Sequence, residues 1–314
     1  MNTGFITENK NPDKYARIIK MNFRDMTDGN VSEREAVDFI SAILPAAKPC
    51  QHNSDLWFWM FEEPSNMPSD CRVEYVYETT YRLAGIIIYA LTKYESVKNI
   101  PGIMDTLHKT LAGCMGRNFM GHGFERLYSF LTAMKVFARS NVNRFFEEYE
   151  YDFAEFAEFY KAQMPLLENI AADRVRGDWG ESLSDKGKAI LDMLSSEKCP
   201  IRLFVYGTLM KGQGAHHYLE NAEYLGEYVL DRYAMYDLGS FPGIVPSGDG
   251  YEVIGEVYEI SSDMLPFMDR YEGEGSLYIR REECVTKGEE SLYAYVYVYN
   301  SDPDGKRVEG KWGT

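Results

Sequence analysis

The chain has 314 residues, 26% of them charged and 45% hydrophobic, with a formal net charge of −16 at neutral pH. That length accommodates two domains, and so large an acidic excess argues against nucleic acid, whose phosphates require clustered Lys and Arg. Five cysteines, at positions 50, 71, 114, 199 and 284 and without a Cys-x-x-Cys pair, suit reduced thiols rather than a disulfide framework.

The first residues, with Glu8, Lys10 and Asp13, lack the apolar core of a signal peptide. The most apolar run, Ala84 to Leu91, falls well short of the roughly 20 residues that span a bilayer, and Arg82 and Lys93 flank it closely. A soluble cytoplasmic protein with no membrane contact is expected.

Tyr15, Ile18, Ile19 and Phe23 form a helical stripe over residues 13–27, which Asp28-Gly29-Asn30 ends. Ser32 and Glu35 then read as a capping box for a second helix that Pro45 stops. Trp57-Phe58-Trp59-Met60-Phe61 reads as core or as a wedge between helices. Helical patterns follow from about Cys71 to Tyr94, from Ile103 to Met115, from Phe124 to Val136 and from Val142 to Ala172. Gly113, Gly116, Gly121 and Gly123 punctuate a bend in which Arg117, Asn118 and His122 lie close in sequence. A packed bend is favoured there, since no Gly-x4-Gly-Lys-Ser/Thr pattern supports a nucleotide. Nothing in the sequence joins Cys114 to His122 as a nucleophile and its base.

Phe145, Phe146, Tyr149, Phe153, Phe156 and Phe159 make an aromatic stripe with acidic residues between them. A di-metal carboxylate site would need Glu-x-x-His pairs, and no His occurs in that segment. The expected arrangement is an aromatic core face and a solvated acidic face. Residues 173–184 read as a loop, Ser184 as the cap of a last helix over Lys186 to Leu194, and Cys199-Pro200 as a domain boundary.

Beyond residue 200 the periodicity becomes alternating. Ile201 to Val205 reads as a buried strand that stops at Tyr206-Gly207-Thr208-Leu209-Met210. Gly207 allows a sharp turn or a close backbone approach, after which the N–H groups of Thr208, Leu209 and Met210 can converge on an anion such as a carboxylate. Strands are also expected over Val253 to Ile260 and Leu292 to Tyr299, with a short helix from Ser262 leading to Glu272. His216 and His217 have no third ligand at zinc spacing.

Tyr206-Gly207-Thr208-Leu209 resembles the opening signature of the γ-glutamylcyclotransferase-like superfamily, which includes γ-glutamylamine cyclotransferases and AIG2-like proteins. Phe241 to Pro246 is similar to that family's Tyr/Phe-Pro-Gly-hydrophobic-Val-Pro turn, and Met268-Asp269-Arg270-Tyr271-Glu272-Gly273 resembles its Leu-Asp-x-x-Glu-Gly segment. Tyr278 to Arg281, the strand at Ala294 to Val298 and the terminal Gly310-Lys311-Trp312 also match in order. The resemblance covers about the last third of the chain, and Met268 departs from the usual leucine.

The helical periodicity predicts an all-helical domain of unknown role over 1–198, and the resemblance implies a small mixed β-barrel over 199–314. It also implies a substrate and a reaction. A γ-glutamyl amine or peptide would cyclise to 5-oxoproline, with Glu272 as general base and acid and Tyr206, Gly207, Thr208 and Leu209 binding substrate. Asp269 would cap or orient, and Glu274 would sit in a glycine-flanked turn. The chemistry is expected to need no metal and no organic cofactor. The alternative is a non-catalytic member that binds a small carboxylated ligand or, through its helical domain, a protein partner.

Overall fold

The structure is a computed structural model that describes residues 12–50, 53–59, 69–116, 118–120, 126–196, 201–248, 252–261 and 264–313. The chain divides into two units, Met1–Cys199 and Pro200–Thr314.

In the first unit, helices α1 (Pro12–Thr27) and α2 (Glu33–Ile43) are followed by α3 (Ser69–Lys93) and α4 (Ile103–Met115). Then come α5 (Arg126–Arg139), α6 (Val142–Tyr149), α7 (Ala154–Ala171) and α8 (Ser184–Ser195). Gly29, at φ 77°, turns the chain out of α1. The capping box of α2 forms, since Ser32 N–H donates to the Glu35 carboxylate at 2.9 Å and Glu35 N–H to the Ser32 hydroxyl at 3.3 Å. The aromatic stripe buries Phe145, Phe146, Phe153 and Phe156 while Glu147, Glu148, Glu155 and Glu158 face solvent. Among the described residues, no helix is long and apolar enough to cross a membrane.

Three features of this unit differ from the sequence reading. It is not all-helical, because β1 (Ala47–Cys50) and β2 (Asn53–Trp59) pair as an antiparallel hairpin. The aromatic run at Trp57 is therefore strand, and rings that suit a pleated, half-buried surface account for it. Trp59 anchors the hairpin by donating its indole N–H to the Ile43 carbonyl at 2.9 Å and its backbone N–H to the Thr80 hydroxyl at 3.2 Å. A Cβ at Gly113 of α4 would stand 2.3 Å from the Trp57 carbonyl oxygen, so only glycine admits the strand. The expected helix over 142–172 is broken between Tyr149 and Ala154, where Phe153 folds back against Phe145. Ser184 does not cap α8, because it is the first helical residue and its hydroxyl donates to the Ala171 carbonyl.

Arg117, Gly121, His122 and Gly123 lie outside the described residues. Cys114 is fully buried, and burial pushes its thiol far above the ordinary range, which keeps it protonated and unreactive.

In the second unit, β3 (Ile201–Val205), β4 (Glu223–Asp231), β7 (Glu252–Ile260), β8 (Tyr278–Lys287) and β9 (Glu290–Tyr299) close a barrel in the order β3-β7-β4-β8-β9. The closing contact, Leu203 with Tyr295, is parallel, whereas β3 and β7 run antiparallel. β5 (Tyr233–Asp237), β6 (Pro242–Pro246) and β10 (Lys306–Val308) form a separate three-stranded sheet. Phe204, Val257, Tyr228, Val285 and Val296 bring all five barrel strands into one core cluster. The opposite faces of β3, β7 and β9, through Leu203, Tyr258 and Tyr297, pack with Leu265 and Met268 of helix α9 (Met264–Glu272). Strand β9 is thus buried on both faces, and Tyr295, Tyr297 and Tyr299 pack on the α9 side.

Candidate functional site

Strand β3 ends at Val205, and the next residues leave the barrel as a tight loop. Met210 N–H closes the turn on the Gly207 carbonyl at 3.0 Å, and Ala215 N–H returns to the Thr208 carbonyl at 2.9 Å. The Met210 N–H is therefore engaged, and Met210 is buried, so it is not the anion donor that the sequence suggests. None of the described loop or turn hydrogen bonds starts from the N–H of Thr208 or Leu209.

Gly207 is required for packing, not for a left-handed turn. A Cβ there would meet the Pro242 ring at 2.6 Å. The loop thus lies directly against β6, the strand that carries the Phe241 to Pro246 segment.

Helix α9 runs up to this loop and ends at Glu272. Gly273 and Gly275, at φ 65° and 88°, turn the chain away, and the turn is tied by Leu277 N–H to the Gly273 carbonyl and Gly275 N–H to the Tyr278 carbonyl. The glycines shape the turn at the cavity mouth.

Between loop, helix and barrel lies a cavity of about 260 Å³. Tyr206, Gly207, Thr208 and Leu209 line one side and Glu272 another, with Tyr278 and Tyr297 behind and Phe241, Tyr271 and Leu277 toward the mouth. All five residues singled out from the sequence meet there.

Among the described residues, Glu272 is the only carboxylate that lines the cavity, and none of them hydrogen bonds to it. Burial pushes its pKa up to about 7, because the ionised form loses solvation without gaining a partner.

The surrounding phenols are held neutral. Burial raises Tyr206, Tyr278 and Tyr297 well above the ordinary range, and the Glu272 charge adds to this at each. Each acts as a donor: Tyr206 to the Tyr297 carbonyl at 2.7 Å, Tyr278 to the Pro242 carbonyl at 2.7 Å, and Tyr297 to Asp269 at 2.8 Å. No tyrosine here competes for the part of a base near neutrality.

Asp269 lies outside the cavity lining. Its carboxylate accepts from Tyr297 and forms an ion pair with the deeply buried Arg280 at 2.9 Å. Arg280 in turn lies over the Tyr295 ring, 4.4 Å from its centroid. Glu274 also stays outside and accepts the Arg280 N–H at 3.4 Å. Sequence reasoning did not assign Tyr278 and Tyr297 a place in the site. Only their alternation in β9 and their position after the glycine turn hinted at it.

His216 and His217 sit on a short 3₁₀ turn, His216–Leu219, with their Nδ1 atoms 3.1 Å from the Leu209 carbonyl and 3.2 Å from the Gly214 carbonyl. Among the described residues, no group of three or more His, Cys, Asp or Glu side chains is placed to hold a metal ion.

A family model described as gamma-glutamyl cyclotransferase, AIG2-like, matches residues 203–314. The chain is 39% identical over 114 residues to the gamma-glutamylcyclotransferase family protein YtfP of Escherichia coli K12, covering 36% of this chain and 96% of that protein. It is 37% identical over 118 residues to gamma-glutamylaminecyclotransferase A of Danio rerio, covering 33% and 73%. The solution structure of ytfP from Escherichia coli aligns at 37% identity, with a TM-score of 0.28, over 35% of this chain and 93% of that one. Through its C-terminal third, the chain belongs to the gamma-glutamyl cyclotransferase, AIG2-like family.

Proposed function

We propose that the second unit releases 5-oxoproline from γ-glutamyl compounds. The observation that carries this reading is a lone carboxylate, Glu272, raised to about 7, in one cavity with Thr208 and Leu209, whose N–H groups start none of the described loop or turn hydrogen bonds.

The α-carboxylate of the substrate binds at those N–H groups, which leaves the α-ammonium and the γ-amide directed toward Glu272. Ionised Glu272 takes a proton from the ammonium, and the freed amine attacks the γ-carbonyl carbon to form the ring C–N bond. Glu272 then gives that proton to the amide nitrogen as the old C–N bond breaks. The ring nitrogen loses its second surplus proton by the same route, so the leaving group departs as an ammonium. A group with a pKa close to neutrality can act in both directions. Because the attack is intramolecular, the cavity contributes mainly by holding the glutamyl chain bent.

The test is release of 5-oxoproline from γ-glutamyl amines and dipeptides by the full-length protein and by Glu272→Gln. The substitution keeps the shape and removes the proton carrier, so turnover is expected to fall by about 10²-fold or more with folding unchanged. Equal turnover would overturn the role of Glu272. Tight binding of γ-glutamyl compounds without turnover by the parent would make the unit a binding module.

A further inference from the structure

We infer that the amine released at this site carries an apolar, preferably aromatic substituent and no carboxylate, a conclusion that rests on the cyclotransferase reading above. The inference comes from what lines the cavity beyond the glutamyl-binding end. Among the described residues, the lining contains no Lys or Arg, and Arg270, next to Tyr271, is not part of it.

If an α-amino acid were the leaving group, its carboxylate would sit on the carbon bonded to the departing nitrogen. That places a second anion close to Glu272 in a half-enclosed space with no cation to offset it. The protein as a whole, at net charge −16, adds nothing favourable.

The outward wall is instead built of exposed apolar groups. Tyr271 and Leu277, each 40% exposed, line the mouth. Phe267, 38% exposed, lies one helical turn before Tyr271 on α9. Tyr218 joins the two, its ring centroid 5.0 Å from each of theirs. The three rings make a shelf that continues the cavity wall toward solvent, at spacings typical of aromatic contacts. A substituent on the leaving nitrogen must pass this wall on its way out, because the glutamyl end is held at the loop. Two exposed rings, Phe267 and Tyr271, clustered on the half-buried Tyr218 beside a cavity mouth, mark a surface that gains by being covered.

The experiment compares initial rates of the full-length protein on γ-glutamyl benzylamide, γ-glutamyl methylamide and γ-glutamylglycine. The benzylamide is expected to exceed the methylamide by about tenfold in kcat/KM, mostly through KM, and γ-glutamylglycine to be the poorest of the three. Phe267→Ala, at an exposed position outside the catalytic machinery, should lower kcat/KM severalfold for the benzylamide and leave the methylamide unchanged. Tyr218→Ala, checked for folding by circular dichroism, should do the same. Preference for γ-glutamylglycine, or equal losses on both amides in Phe267→Ala, overturns the inference while the cyclotransferase reading stands. If none of the three is processed, both fall.

Discussion

Glu272 has a cost in stability that its removal should expose. Its carboxyl stands at about 7 in the folded protein against an ordinary value of 4.5. At about 1.4 kcal/mol for each tenfold change, the difference amounts to about 3 kcal/mol, an upper figure because the side chain is only half-buried. The sign follows from which state binds the proton more tightly. Below pH 4.5 both states are protonated and folding carries no penalty. As pH rises from there to about 7 the unfolded chain ionises first, stability falls, and above that range the whole penalty applies. Glutamine never ionises, so Glu272→Gln should match the parent at about pH 4 and exceed it by up to about 3 kcal/mol at about pH 8, a rise in Tm of about 10 °C for a unit of this size. Scanning calorimetry of the two full-length proteins across that range reads the effect. Hydrogen exchange in Leu292 to Val298 assigns which transition belongs to the barrel. A stability difference that does not change with pH, or a variant that is weaker at pH 8, would refute the argument that burial alone raises this carboxyl.

The same titration should appear in the kinetics, since kcat/KM for a γ-glutamyl amide is expected to rise with pH through an apparent pKa near 7, as steady-state rates between pH 5 and 9 would show. Gly207→Ala places a methyl carbon 2.6 Å from the Pro242 ring and should cost about 1–3 kcal/mol by urea denaturation while weakening substrate binding through a displaced loop. Asp269→Ala removes both the ion pair with the buried Arg280 and the acceptor for Tyr297 and is expected to cost about 3 kcal/mol, whereas Asp269→Asn, which can still accept from Tyr297, should cost less. In the first unit, Asp28 pairs with Arg139 with both side chains almost fully buried, so Asp28→Ala should lower stability by about 3–5 kcal/mol in calorimetry.

How much could be read in advance depended on how local the cause was. The capping box at Ser32 and the strand at Ile201 rest on a few neighbouring residues, so pattern alone located them. The hairpin at Trp57 was missed because a dense aromatic run has no period. It is also accommodated from a distance, by α4, where Gly113 leaves room for its backbone. Tyr206 to Leu209 and Glu272 were identified as separate segments by resemblance, and the packing of α9 against β3 and β9 brings them to one cavity. The tyrosine network behind them was not legible, since the partners of Tyr278 and Tyr297 are a carbonyl in β6 and a carboxylate in α9. Burial of β9 on both faces follows from barrel closure, which no local pattern encodes.

That closure also sets an order of assembly. The loop that would grip the substrate is attached to the first strand of its unit, yet among the described residues this strand pairs with β7 and β9, which are made later. Tyr206 reaches its acceptor on Tyr297 across 91 residues of chain. During synthesis the Tyr206 to Leu209 segment must therefore wait for its contacts with β9 until almost all of the unit has left the ribosome. Contacts so distant in sequence form slowly, and a chain cut short before β9 would hold Glu272 but have no closed barrel to set it against the loop. Completion of the candidate site thus becomes a late step of folding.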